Sequence, residues 1–265
     1  MRKNTTHLSI ILIFTFFIMS CSNSTSIGGS SQQKEQNSNK QEPIAVFPNS
    51  YKIYAADPSC ITTKRIYITH GFGGSKEVYD TDPFIQFFNN LTAACFELIS
   101  YDLPYGDFKV HFTQSGLIDK NNFKAYIANL KTEIESSRGT VSTNLAGGVS
   151  FGGLHAMMTI ELTDGLFDGF FALKPVTDYT ALTELSELSS AHFNVFNQYQ
   201  KLGQSRGYIV YGSQDDRVDW LKTDYLKYRL QADGLNGVDF DLLTEGHSSN
   251  DTNLNMIYNW INTNF

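Results

Sequence analysis

Short apolar runs alternate with helical patterns along most of the chain. Six β-rich or apolar runs predict strands at 65–69, 96–101, 143–148, 167–176, 208–211 and 238–243. Apolar residues at helical spacing predict helices at 84–94, 123–134 and 154–162. Strands separated by helices are typical of a mostly parallel sheet with helices on both faces. We therefore predict an α/β fold, in which functional sites form at the carboxyl ends of strands.

The first twenty residues have the pattern of a secretion signal. Arg2 and Lys3 precede an uncharged run at 8–19, which has the length of a signal-peptide core and is short for a membrane span. The run ends in Ile-Met-Ser-Cys at 18–21, which resembles the lipobox of bacterial lipoproteins, although Met is unusual at its position. The resemblance implies a lipid on the Cys21 thiol. The alternative is an ordinary secretory signal with an incidental cysteine.

A polar segment separates this signal from the rest of the chain. Of the 21 residues at 22–42, 16 are Ser, Thr, Asn, Gln or Gly, so the segment 21–42 is predicted to be a flexible tether. The folded domain is then predicted at 43–265. A lipid on Cys21 would anchor that domain in the bacterial cell envelope, and Ser22 in the next position implies the outer membrane if the host has one.

Composition narrows the choice of function. The chain has 20 Lys and Arg against 27 Asp and Glu, a net charge of −7, so attraction for nucleic-acid phosphates is not expected. Apolar residues make up 41% and aromatic residues 14%, enough for a sizeable core. No His and Cys cluster has metal-ligand spacing, and the glycines at 71–74 lack the Lys of a P-loop. We therefore expect no metal, no cofactor and no nucleic-acid partner.

A glycine-rich motif follows the strand predicted at 143–148. Residues 148–152 read Gly-Val-Ser-Phe-Gly, which fits G-x-S-x-G. A serine at a tight turn between a strand and a helix exposes its hydroxyl, and glycines are needed because larger neighbours would clash there. The start of the following helix also presents N–H groups toward developing negative charge. These features make Ser150 a candidate nucleophile.

Two more strand ends carry an acid and a base. Asp215 follows the strand at 208–211, and His247 follows the strand at 238–243. The chain order Ser, Asp, His at successive strand ends resembles the α/β-hydrolase superfamily over about residues 60–265. The resemblance implies that Ser150 attacks an acyl carbonyl, that His247 acts as the base and that Asp215 orients the histidine. Asp216 is the alternative acid.

The same resemblance implies an oxyanion hole. Its donors would be the backbone N–H of Phe151, directly after the nucleophile, and that of Phe72 in the segment His-Gly-Phe-Gly-Gly at 70–74. His70 is expected to hold this loop, and Asp102 is expected to lie in a turn. Among the other histidines of the predicted domain, His111 and His192 lie in no motif, and His155 is expected to be packed or solvated in the helix after the serine turn.

The two cysteines of the predicted domain precede neighbouring strands. Cys60 lies before the strand at 65–69 and Cys95 before the strand at 96–101. In the α/β-hydrolase order these strands are parallel neighbours, and a secreted domain would be in an oxidising compartment. The resemblance therefore implies a possible Cys60–Cys95 disulfide, with two buried free thiols as the alternative.

The segment at 145–265 also resembles the catalytic domain of the prolyl oligopeptidase family, through Lys-Pro-Val-Thr-Asp-Tyr at 174–179 and the stretch around Asp215. The chain lacks a preceding propeller, however, and its oxyanion loop is esterase-like. A cap is predicted at 177–207, too small for a large interfacial lid. We therefore predict a serine hydrolase of carboxylic esters with a small-molecule ester or acyl substrate and no obligatory protein partner. The alternatives are a serine peptidase for short peptides and a non-catalytic binding lipoprotein.

Overall fold

A computed structural model of the chain describes residues 50–61, 63–103, 120–178 and 194–265. Numbered in chain order, the strands are β1 (Tyr51–Tyr54), β2 (Lys64–Thr69), β3 (Phe96–Tyr101), β4 (Asn144–Val149), β5 (Gly169–Leu173), β6 (Arg206–Gly212) and β7 (Val238–Leu243). The α-helices are α1 (Phe84–Ala93), α2 (Lys120–Arg138), α3 (Phe151–Leu162), α4 (Gln200–Gln204), α5 (Trp220–Ala232) and α6 (Asp251–Asn264). Within the described ranges, 3₁₀ turns occupy Lys76–Asp80 and Val195–Asn197.

The described strands form one sheet in the order β1-β3-β2-β4-β5-β6-β7. The edge strand β1 is antiparallel to β3, whereas all other pairs are parallel. In register, Thr69 at the end of β2 pairs with Tyr101 of β3 and with Gly148 of β4. The carboxyl ends of the parallel strands therefore meet at one edge, where the predicted catalytic residues follow β4, β6 and β7.

Helices cover both faces of the sheet because the central strands are buried on both sides. Along β2, Ile66 and Ile68 pack on one face with α1 and α6, whereas the intervening Tyr67 packs on the other with α2, α3 and α5. Side chains of successive strand residues point to opposite faces, so uniformly apolar strands require two cores. The predicted α/β architecture, a mostly parallel sheet with helices on both faces, is confirmed.

The predicted strands match the observed ones closely, except that the fifth is shorter than the run at 167–176 suggested. Strand β1 and helices α5 and α6 were not predicted. Of the predicted cap at 177–207, residues 179–193 lie outside the described residues, and the described remainder contains one 3₁₀ turn and the short helix α4. Among the described residues, no helix combines the length and apolar character needed to cross a membrane.

The amino edge of the sheet is cross-linked. The structure contains the predicted disulfide between Cys60 and Cys95, with the two Cα atoms 5.5 Å apart. Beside it, Glu97 at the start of β3 accepts hydrogen bonds from the buried Arg65 at 2.7 Å and from Arg138 at 2.8 Å. Both Arg65 and Glu97 are nearly inaccessible to solvent. These contacts join β2, β3 and the end of α2 at the edge opposite the predicted site.

Candidate active site

Ser150 occupies a sharp turn between β4 and α3. Its backbone φ is 57° and its ψ is −118°, values that a non-glycine residue rarely adopts. A Cβ at Gly148 would lie 2.0 Å from the carbonyl oxygen of Gly152, and a Cβ at Gly152 would lie 2.2 Å from that of Thr69. Both glycines are therefore required by close backbone contacts, as the G-x-S-x-G motif predicts.

The fold brings Ser150, Asp215 and His247 together in a continuous hydrogen-bonded chain. The His247 Nε2 lies 2.9 Å from the Ser150 Oγ, and its Nδ1 lies 2.7 Å from the Asp215 Oδ2. The three residues come from the ends of β4, β6 and β7, up to 97 positions apart in sequence. This arrangement has the geometry of a nucleophile, a base and an orienting acid.

The surroundings of Asp215 keep its carboxylate ionised. Burial alone would raise the pKa of Asp215, but the hydrogen bond with the His247 ring and bonds from the backbone N–H of Val218 and Arg217 lower it below its ordinary value. These N–H groups lie 2.9 and 3.0 Å from Oδ1. An ionised carboxylate only accepts hydrogen bonds, so Nδ1 of a neutral His247 carries the proton and Nε2 accepts from the Ser150 hydroxyl. The adjacent Asp216 is exposed.

The loop after β2 lies against the serine turn. A Cβ at Gly71 would approach the Ser150 Cβ to 3.3 Å, which places this loop directly beside the nucleophile. The rings of Phe72 and Phe151 pack edge to face, with centroids 6.0 Å apart. The two residues predicted to supply the oxyanion hole are thus neighbours, and Phe151 is the first residue of α3.

His70 and Asp102 organise that loop. His70 is buried, and its Nδ1 lies 2.8 Å from the Gly71 carbonyl oxygen. Asp102 accepts from the Lys76 backbone N–H at 2.6 Å, from the Lys76 ammonium at 2.7 Å and from the Ser50 hydroxyl at 2.8 Å. Its Oδ1 is also 3.5 Å from the His70 Nε2. Asp102 therefore links Ser50, His70 and Lys76 and holds this loop in place, a role that the sequence did not indicate.

The pKa values of His70 and Asp102 are both lowered, which leaves His70 neutral and Asp102 charged. Burial lowers the pKa of His70, which keeps the imidazole neutral. Partial burial alone would raise the pKa of Asp102, but the hydrogen bonds from Lys76 lower it, so the carboxylate stays ionised. Asp102 therefore holds the loop as a negatively charged acceptor, whereas His70 holds it without charge.

A pocket of about 210 Å³ opens beside Ser150 and His247. One side is apolar and aromatic, with Val78, Tyr79 and Phe84 in its lining. The Tyr79 hydroxyl donates to the Thr69 carbonyl oxygen at 2.7 Å, which fixes this ring in place. An apolar wall next to a nucleophile suits the acyl chain or leaving group of a small substrate.

His155 packs under the serine turn rather than in the pocket. It is fully buried, its Nδ1 lies 2.9 Å from the Phe151 carbonyl oxygen, and its Nε2 has no hydrogen-bond partner among the described residues. Burial lowers its pKa to about 3. His155 is therefore a neutral packing residue.

Several predicted positions lie outside the described residues: Cys21 and the rest of the signal and tether, His111 and His192. Among the residues that the structure does describe, no group of three or more His, Cys, Asp or Glu side chains is arranged to hold a metal ion.

The chain is similar to solved structures of other proteins at low sequence identity. No family model and no curated protein matches the sequence. Esterase PE8 is similar in structure, with a TM-score of 0.60, 12% identity, and coverage of 82% of this chain and 99% of that one. Est1E from Butyrivibrio proteoclasticus has a TM-score of 0.60 and 13% identity, covering 82% and 93%. Acyl-protein thioesterase 2 from Zea mays has a TM-score of 0.56 and 14% identity, covering 82% and 99%. These likenesses establish the α/β-hydrolase fold of this chain.

Proposed function

We propose that this protein is a serine hydrolase that cleaves carboxylic esters through an acyl-enzyme on Ser150. The observation that carries the proposal is the hydrogen-bonded chain from Ser150 through His247 to Asp215. A hydroxyl bound to an imidazole, which is itself oriented by an ionised carboxylate, is an activated nucleophile. Binding alone would not require these three side chains to be hydrogen-bonded to one another, so the arrangement favours an enzyme over a non-catalytic binding protein.

In the proposed reaction, the Ser150 oxygen attacks the ester carbonyl while its proton moves to Nε2 of His247. The resulting imidazolium is stabilised by Asp215, which accepts from Nδ1. The negative oxygen of the tetrahedral intermediate receives hydrogen bonds from the backbone N–H groups of Phe72 and Phe151. His247 then gives its proton to the departing alcohol. Water then attacks the acyl carbonyl while its proton moves to His247, and His247 returns that proton to the Ser150 oxygen as the acid leaves.

The pocket supports a small substrate. Its volume of about 210 Å³ and its aromatic wall suit a short acyl group better than a long chain. The similar structures support ester chemistry, since one is named an esterase and another an acyl-protein thioesterase. A serine peptidase for short peptides is the alternative, because the same triad serves both reactions.

The proposal includes a location. The signal pattern at 1–20 and the lipobox-like stretch ending in Cys21 support a lipid-anchored domain in the bacterial cell envelope. Mass spectrometry of the mature protein made in a bacterial host tests this directly. A diacylglyceryl group on Cys21, lost in Cys21→Ala, is the expected result, and a mature chain that begins elsewhere without lipid would contradict it.

The activity is tested with p-nitrophenyl acetate, butyrate and octanoate. We expect the full-length protein to hydrolyse the two shorter esters faster than the octanoate, and Ser150→Ala to abolish turnover. Ser205→Ala is the matched control, since its hydroxyl bonds the Lys201 carbonyl away from the site. Absence of turnover on every ester, with cleavage of Ala- or Pro-peptide anilides instead, would favour the peptidase.

A further inference from the structure

Lys174 is a buried cation directly behind the candidate site. It follows β5, only 1% of it is exposed, and its backbone φ of 48° lies in the left-handed region. A lysine is almost never fully buried unless its ammonium is paired, because removing the charge from water is costly. The contacts of this ammonium therefore indicate what the residue does.

The ammonium of Lys174 binds the carbonyl oxygens on either side of His247. Its Nζ donates to the Gly246 carbonyl at 2.6 Å and to the Ser248 carbonyl at 2.5 Å. The carboxylate of Glu245 lies 3.2 Å away and supplies the counter-charge. The three N–H donors of a lysine thus meet three oxygen acceptors, all within the segment 245–248.

Glu245 is in turn fixed to the start of α6. Its two carboxylate oxygens accept from the side-chain amides of Asn250 at 2.7 Å and Asn253 at 2.9 Å. Asn250 and Asn253 also form a reciprocal cap on the helix. The hydrogen bonds from Asn253, Asn250 and Lys174 lower the pKa of Glu245 against the effect of its burial, so it remains a carboxylate. Lys174 therefore connects the histidine loop to a capped helix.

The same short segment also holds the nucleophile. The Ser150 N–H donates to the Leu173 carbonyl oxygen at 2.8 Å, and the Val176 N–H donates to the Ser150 carbonyl oxygen at 3.1 Å. The backbone of 173–176 thus fixes Ser150, whereas the side chain of Lys174 fixes the loop of His247. One segment sets the distance between the two.

We propose that Lys174 is a positioning residue, which holds the backbone on both sides of His247 so that the imidazole stays aligned between Ser150 and Asp215. The inference deepens the proposed function and rests on it. Without the ammonium, the Gly246 and Ser248 carbonyls and the Glu245 carboxylate each lose this donor. The loop then keeps only the contacts of Glu245 and Ser248 with α6 and can shift relative to the serine turn. A shift of about 1 Å at a reacting group can cost on the order of 100-fold in rate.

The kinetic test is Lys174→Met, which keeps the length of the side chain and removes the donors. We expect kcat for p-nitrophenyl butyrate to fall by about 100-fold, with KM within about twofold of wild type, because no residue of the pocket wall changes. Lys131→Met is the matched control: it removes a half-buried lysine that pairs with Glu135 on α2 and contacts no site residue. Its kcat should be unchanged. A kcat for Lys174→Met within threefold of wild type would overturn the proposal.

A second readout needs no substrate. The Nδ1 proton of His247, donated to Asp215, gives a low-field proton resonance in NMR. We expect this resonance in the wild type and in Lys131→Met, and its loss or broadening in Lys174→Met. An unchanged resonance in Lys174→Met would overturn the proposal. If the wild type hydrolyses no ester, the proposed function fails while this comparison still decides the role of Lys174.

Glu245→Gln covers the case in which Lys174→Met does not fold. The amide keeps the shape of the side chain and one acceptor for Asn250 or Asn253, but it removes the counter-charge of Lys174. We expect a folded protein, shown by an unchanged circular dichroism spectrum, with a kcat reduced by about tenfold and a broadened Nδ1 resonance. Wild-type kcat and an unchanged resonance in this variant would also overturn the proposal.

Discussion

The carboxyl and amino edges of the sheet differ in the kinds of contact that they contain. At the carboxyl edge, the hydrogen-bonded chain of Ser150, His247 and Asp215 lies beside a partly open pocket. At the amino edge, a disulfide joins Cys60 to Cys95, and Glu97 binds two arginines. One edge therefore holds reactive groups in position, whereas the other supplies covalent and ionic cross-links.

This comparison separates activity from stability. Substitutions in the triad at the carboxyl edge should lower turnover with little effect on unfolding, because they remove interactions that matter in the transition state. Changes at the amino edge should lower the free energy of unfolding while the folded fraction keeps its turnover. The predictions below test this division, from the largest expected effect to the smallest.

After the loss of the nucleophile itself in Ser150→Ala, Asp215→Asn should give the largest effect on turnover. An asparagine amide cannot hold the imidazole as the carboxylate does, and the wrong tautomer of His247 then faces Ser150; the expected loss in kcat is about 10⁴-fold. Asp216→Asn should keep kcat within about twofold. Ester kinetics on both variants, with thermal melting as the control, measure this. Comparable losses of kcat in the two variants would contradict the assignment of Asp215, rather than Asp216, as the acid of the triad.

Glu97→Ala should give the largest loss of stability. It leaves the buried Arg65 without its carboxylate, which costs about 3–5 kcal/mol, because an uncompensated charge remains in the interior. The exposed pair of Asp80 with Lys52 is the matched control, and Asp80→Ala should cost less than about 1 kcal/mol. Urea unfolding measures both. A similar cost for the two variants would mean that burial of the pair at Glu97 adds nothing.

Replacing both disulfide cysteines, Cys60 and Cys95, with serine should lower the free energy of unfolding by about 2–5 kcal/mol. The disulfide closes a loop of 35 positions in the unfolded chain. The turnover of the folded variant should be unchanged, because Cys60 and Cys95 lie at the amino edge. Urea unfolding and ester kinetics on the double variant check the two parts. A large loss of kcat without loss of stability would contradict the division between the edges.

The smallest expected effect is a dependence of stability on mild acid. The pKa of His155 is about 3 in the folded protein, below its ordinary 6.5, so between these values the unfolded chain takes up a proton that the folded one does not. The free energy of unfolding should therefore decrease as the pH is lowered, by up to about 1.4 kcal/mol per pH unit for this group. His70, whose pKa burial also lowers, acts in the same direction.

Urea unfolding at pH 6.5, 5.5 and 4.5 measures that dependence above the range in which carboxylates with lowered pKa values titrate. His155→Phe should flatten the slope, because it removes the buried imidazole and leaves the contribution of His70. Equal slopes in the wild type and the variant would show that His155 is not the responsible group.

The parts of the site that local sequence could predict are those with a local cause. The turn at Ser150 requires glycine at 148 and 152, since a Cβ there would meet backbone atoms within 2.3 Å, and this requirement appears as a motif. Asp215 and His247 follow apolar strands, whose burial on both faces produces recognisable runs. Chain order then indicated how the three residues meet.

The remaining parts depend on contacts between distant residues. Lys174 reaches Gly246, 72 positions away, and Asp102 contacts Lys76 and Ser50 from a separate strand end. Such contacts leave no period in the sequence, because each involves a single polar side chain and a backbone group. Strand β1 escaped prediction for a related reason: its four residues are half-buried and too few to show an alternating pattern.

The most direct test of the account is labelling with a fluorophosphonate, which reacts with an activated serine hydroxyl. After digestion, mass spectrometry identifies the modified residue. We predict one equivalent of label on Ser150, absent in Ser150→Ala and strongly slowed in Asp215→Asn. A folded wild-type protein that takes up no label, or that carries the label on another residue, would contradict the claim that Ser150, His247 and Asp215 form a working catalytic triad.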